Sequence, residues 1–164
     1  MRKRSKYRPK GLISDPLSYV LNGMKTVGSI SAGTDLMIKN HSCLDAIRRG
    51  EATRDDFDVV IAALNMTEAL ALMHIGEDWQ VEIRAAQDAL FAVGSRGAET
   101  GRFILRGPEL KALNLGMEIH DAQLAVSTVA ELEKAIDLVR KTIVAKKARP
   151  IVTRKENHEA KTID

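Results

Sequence analysis

Apolar residues in this chain recur at helical spacing and almost nowhere alternate in the two-residue rhythm of a strand. Over about 54–75, Phe57, Val59, Val60, Ile61, Leu64, Met66, Leu70, Met73 and Ile75 point in every direction. A helix apolar all round belongs at the centre of a fold. Thr53-Arg-Asp-Asp56 is an acidic variant of the capping box and opens it, and Gly76 closes it. From about Asp78 to Arg96, Trp79, Ile83, Ala86, Leu90 and Val93 form one stripe, with Gln80, Arg84, Gln87 and Asp88 on the other side. Gly107-Pro108 starts a further helix, proline being suited to the first helical position. It carries one apolar row through Leu110, Leu113, Met117, His120 and Leu124, and a second through Ala112, Leu115, Ile119, Ala122 and Val126. Thr128-Val-Ala-Glu131 is a capping box. It predicts a last helix to about Lys147 that buries Leu132, Ile136, Val139 and Ile143 and pairs Asp137 with Lys141.

The first third is less regular. Asp15-Pro16 predicts a short helix from Leu17 to about Asn22. Residues 26–34 are rich in Gly, Ser and Thr and read as a loop. Asp35 then caps a helix to Arg49 whose inward rows are Leu36, Cys43, Ile47 and Met37, Leu44, with Gly50 as its stop. Between Gly97 and Gly107, three glycines break the pattern around Phe103-Ile104-Leu105, which reads either as a short extended piece or as a turn that plugs the core.

These elements predict an all-α fold: an antiparallel helical bundle of about five main helices with short connections over 15–147. A flexible basic arm (1–14) precedes it and a disordered tail (148–164) follows. The all-round apolar helix and the second row over 108–127 exceed what one small bundle needs. They predict a homo-oligomer unless both helices are simply central.

Composition narrows the class. The chain has 164 residues, of which 45% are hydrophobic, enough for one core. A lone cysteine, Cys43, excludes an intramolecular disulfide framework. No apolar run approaches the ~20 residues of a membrane span. The expectation is a cytoplasmic protein. The charged start is not expected to act as a signal peptide, because Asp15 and Pro16 interrupt the place of the apolar stretch.

The net charge of +3 conceals an asymmetry. Residues 1–10 hold six Lys/Arg and no acid, whereas 11–145 hold 13 basic and 19 acidic residues. Arg2, Lys3, Arg4, Lys6, Arg8 and Lys10 suit phosphates, and Tyr7 can stack on a base. The opposing reading is a solvated arm, or one that folds onto its own acidic body.

No catalytic set assembles from the sequence, and no cofactor is implied. Glu118-Ile-His120 and Glu156-Asn-His158 place their members two residues apart, on different helical faces, where a di-iron bundle needs a spacing of three. No zinc pattern exists, so no metal site is expected. Gly28-Ser-Ile-Ser-Ala-Gly33 has the glycine spacing of a phosphate loop, but Thr34 and Asp35 follow where Lys and Ser/Thr are required. Cys43 reads as a small core residue rather than a thiolate, and Ser29 and Ser31 are in no nucleophile elbow. Asn65 and Glu68 read as buried polar residues, Glu68 pairing with an arginine such as Arg84 or Arg102. A helix-turn-helix around Gly50 fails because Asp55, Asp56 and Asp58 would face phosphates.

Residues 1–10, the segment Gly101-Arg-Phe-Ile-Leu-Arg-Gly-Pro-Glu-Leu110, and Ala112-Leu-Asn with Glu118-Ile-His-Asp-Ala-Gln-Leu124 resemble small proteins encoded by phages and prophages of Gram-negative bacteria. The resemblance implies a phage setting, in the cytoplasm of the host, and no catalytic residue. It directs attention to the polar residues of those segments: Arg102, Arg106, Glu118, His120, Asp121 and Gln123. The leading expectation is a non-enzymatic, self-associating helical protein that binds a host or phage protein. Alternatives are a nucleic-acid-associated protein acting through 1–10, and a bundle that holds an anionic small ligand with Arg102 and Arg106.

Overall fold

The computed structural model describes residues 16–151 and is all-α, with no strand among the described residues. Six helices follow in order: α1 (Pro16–Gly23), α2 (Ser31–Arg49), α3 (Arg54–Leu72), α4 (Gln80–Thr100), α5 (Gly107–Val126) and α6 (Val129–Val144). Single 3-10 turns, Val27–Ser29 and Glu77–Trp79, precede α2 and α4.

Two predicted capping boxes form. Thr53 Oγ1 accepts the Asp56 N–H at 3.2 Å while the Asp56 carboxylate accepts the Thr53 N–H at 2.9 Å. Thr128 and Glu131 repeat the arrangement at 3.2 and 2.8 Å. These bonds hold both carboxyls below their usual range, because the ionised form is the better acceptor.

α3 packs against α2, α4, α5 and α6, which explains its apolar circumference. Its Phe57, Val60 and Leu64 meet Cys43, Leu44 and Ile47 of α2, Ala86, Leu90 and Val93 of α4, and Leu113 and Met117 of α5. Cys43 is a core residue, its thiol pushed up by burial with Asp56 beside it. Most of the apolar surplus of α3 is therefore consumed inside the molecule, and Leu72 at its end is exposed. On α5, Ile119 of the second row is buried, but Val126 is 65% exposed and Ala122 is also exposed.

Several boundaries differ from the sequence reading. α2 begins at Ser31, inside the expected loop, so Asp35 is a helical residue and no cap. Its inward row runs through Gly33, Asn40, Cys43, Leu44 and Ile47, leaving Leu36 exposed. Gly33 is demanded by packing, since a Cβ there would stand 1.9 Å from the Val27 carbonyl oxygen. α4 continues to Thr100 because Gly94 and Gly97 are notches for neighbours, and Gly101, at φ 75°, is the residue that ends it. Residues 102–106 have no regular structure, and Phe103 stacks on Phe57 with centroids 4.3 Å apart, so this segment is the core plug. Trp79 is 48% exposed and not part of the inward stripe. α6 ends at Val144 and fully buries only Ala135, since α3 covers one side of it alone. Asp137 faces Arg140 at 3.6 Å rather than Lys141.

The expected arm, 1–14, and its residues Arg2, Lys3, Arg4, Lys6, Tyr7, Arg8 and Lys10 lie outside the described residues. The expected tail is placed as far as Ile151, which packs against the core.

Candidate interaction surfaces

Three helices bring His120, Asp121 and Gln123 of α5 together with residues the sequence did not mark. His120 is 1% exposed. Its Nε2 lies 3.3 Å from Asn40 Nδ2 on α2, and its Nδ1 lies 2.9 Å from Thr67 Oγ1 on α3. Thr67 spends its hydroxyl proton on the Ala63 carbonyl at 2.9 Å, so its oxygen accepts from Nδ1–H, and Nε2 accepts from Asn40. Both nitrogens are satisfied, one more than the sequence reading gave, and the imidazole is neutral. Burial lowers its pKa to about 4. Gln123 Nε2 donates to the carbonyls of Thr67 at 3.1 Å and Ile75 at 2.7 Å, tying α5 to the end of α3. His120 and Gln123 are thus internal struts, closed to ligands.

Asp121 turns outward and meets His41 of α2 at 2.6 Å. Glu118 is exposed, as are Arg102 and Arg106. The two arginines line neither the cavity between α3, α4 and α6 nor the two hollows beside Val81 and beside Ile38. Arg96, which the sequence did not single out, is the arginine with structural work here. It grips Glu109 through both nitrogens at 2.8 and 2.6 Å and the Ile104 carbonyl at 3.0 Å, fixing the plug segment at the start of α5. The Arg96 bonds hold the Glu109 carboxyl below its usual range.

Glu68 takes Arg84, as expected, at 2.7 Å, and also accepts from Gln87 at 3.0 Å. Glu68 and Asn65 are half-buried at the α3–α4 seam rather than enclosed. No group of three or more His, Cys, Asp or Glu side chains capable of holding a metal occurs among the described residues. No described helix is long and apolar enough to cross a membrane.

Large apolar side chains are exposed at several places, among them Ile38, Leu72, Val81 and Val126, and α1 carries a run of them at helical spacing. Leu17, Val20 and Leu21 of α1, with Met24 just past its end, sit at i, i+3, i+4 and i+7, the spacing that an amphipathic helix buries. Here they are 69%, 56%, 55% and 69% exposed. α1 touches the body at the start of α6, where Gly23 faces Ala130, and its stripe points away from the core. The sequence showed a short helix from Leu17 to about Asn22 but not that its stripe would lack a cover, because that depends on where the chain leaves α1. No protein-family model, curated protein or solved structure matches this chain.

Proposed function

We propose that this chain is a non-enzymatic helical interaction protein that self-associates through the apolar stripe of α1. The carrying observation is that four large side chains at ideal amphipathic spacing are each more than half exposed. Single exposed apolar residues need no explanation, but a continuous stripe on one helix marks a contact surface. A second copy is the occupant that the charge favours. The stripe is the same on both copies, which suits a two-fold, isologous contact. The arm that leads into α1 carries six cations, and residues 11–145 carry six more acids than bases.

Light scattering on the full-length protein tests this reading. Wild type should show at least twice the monomer mass, and Leu17→Asp with Leu21→Asp should show the monomer mass at unchanged helicity. A monomeric wild type rejects it. Association with a host or phage protein extends the same reading, and the phage setting rests on the resemblance alone.

The six cations and Tyr7 within 1–10 favour a second reading, in which the arm contacts nucleic acid. It predicts binding to a generic duplex that weakens steeply with salt and is lost in an 11–164 truncation. Binding unchanged by the truncation rejects the arm as its source.

A further inference from the structure

A cavity of about 470 Å³ lies between α3, α4 and α6. Ile61, Leu90, Phe91, Leu138, Val139 and Ile143 give it an apolar stretch, and Asn65, Gln87 and Thr142 line it as well. The residues after α6 close one end. Lys146, at φ 54°, turns the chain back across α4. Arg149 then pairs with Asp88 at 3.1 Å and lies 3.4 Å from the centre of the Phe91 ring. Ile151 fills the notch at Gly94, where a Cβ would stand 2.5 Å from its Cδ1.

Charge around this cavity is unbalanced. Arg54, Arg84, Lys147 and Arg149 line it, against two carboxylates, Glu68 and Asp88. Both carboxylates are engaged, Glu68 by Arg84 at 2.7 Å and Asp88 by Arg149 at 3.1 Å. Arg54 pairs with Asp58 at 3.1 Å. Lys147 carries no ion pair among the described residues.

We propose that this cavity binds a single-chain amphiphile with an anionic head, its chain along the apolar stretch and its head at Lys147. The volume sits within the ~300–1,000 Å³ of small-molecule sites. Lys147 is exposed, so an anionic head gains one solvent-screened ion pair there, a neutral head gains none, and an amine head is repelled.

Displacement of a fluorescent fatty acid from the full-length protein tests the site, with palmitate, hexadecanol and hexadecylamine as competitors below their aggregation thresholds. Palmitate should compete best, about fivefold better than the alcohol, as for one partly exposed ion pair. Lys147→Glu should reverse the order of palmitate and the amine. Ile143 is 55% exposed, so Ile143→Asp should leave helicity unchanged while weakening all three competitors. Failure of the wild type to bind the probe overturns the proposal. So does equal competition by the three heads, an order unaltered by Lys147→Glu, or displacement by an acidic amphipathic peptide and not by palmitate.

Discussion

Replacing His120 by glutamine should change how stability depends on pH, not only how large it is. The imidazole is buried, accepts from Asn40 at Nε2 and donates to Thr67 at Nδ1, so the native state holds it neutral. Burial is the main cause of its pKa of about 4, with His41 adding to the effect and Asp121 opposing it. In the unfolded chain the same group titrates near its ordinary 6.5. As pH falls below 6.5 the unfolded chain takes up a proton that the native protein refuses, so stability falls with pH until about 4. The slope approaches ~1.4 kcal/mol per pH unit, and between about pH 7 and about pH 5 the loss integrates to roughly 1.8 kcal/mol. That is a large share of the ~5–15 kcal/mol of an ordinary domain. Asp45, Asp56, Glu109 and Glu131, whose pKa values are lowered on folding, also lose stability in acid, but mainly below this window. They are present in wild type and variant alike and cancel in the difference. Urea unfolding followed by far-UV circular dichroism across that range gives the difference directly. Wild type should lead the variant at neutral pH, and the lead should shrink by roughly 1.8 kcal/mol by about pH 5. A lead that stays constant to within ~0.5 kcal/mol refutes the buried, neutral assignment.

Gly97→Ala puts a Cβ 2.4 Å from the Phe103 ring and should cost about 1–3 kcal/mol, read as a lower urea midpoint with reduced protection of residues 102–106. Glu109→Gln removes the acceptor that serves both Arg96 and the Arg106 N–H and should cost roughly 1–2 kcal/mol. Because the folded pKa of Glu109 is lowered, that cost should be full at neutral pH and vanish as acid protonates the wild-type carboxylate, which a pH series of urea titrations would follow. Thr128→Ala loses the cap of α6 and should cost about 1 kcal/mol, with the first-turn amides of α6 exchanging faster in hydrogen-exchange experiments.

Periodicity and caps carried most of the fold. Thr53, Thr128 and Gly107-Pro108 announced the starts of α3, α6 and α5 because capping is decided by a few neighbouring residues. Gly97 misled because a glycine that ends a helix and one that admits a packed ring look alike in sequence. Gly33 resembled part of a phosphate loop for the same reason, when its need is contact with Val27. His120 was legible as an inward residue on its apolar row. Its partners Asn40 and Thr67 were not, since they come from helices 80 and 53 residues away. A polar residue on the inward row of α2 was the signal available for Asn40. The surplus on α3 and α5 pointed to oligomerisation, whereas α3 packs against four helices, leaving Leu72 as its one large exposed apolar side chain, and the exposed stripe is that of α1. The pocket depends on Lys146 reversing the chain, a single backbone angle that no pattern announces.

Self-association through α1 is tested most directly by hydrogen exchange of residues 16–24 as a function of protein concentration. An eight-residue helix touching the body mainly at Gly23 should exchange almost freely when alone. The account predicts slow exchange in α1 at high concentration, loss of that protection on dilution, and no protection at any concentration in Leu17→Asp with Leu21→Asp. Exchange in α1 that is independent of concentration, and unchanged by those substitutions, would contradict it.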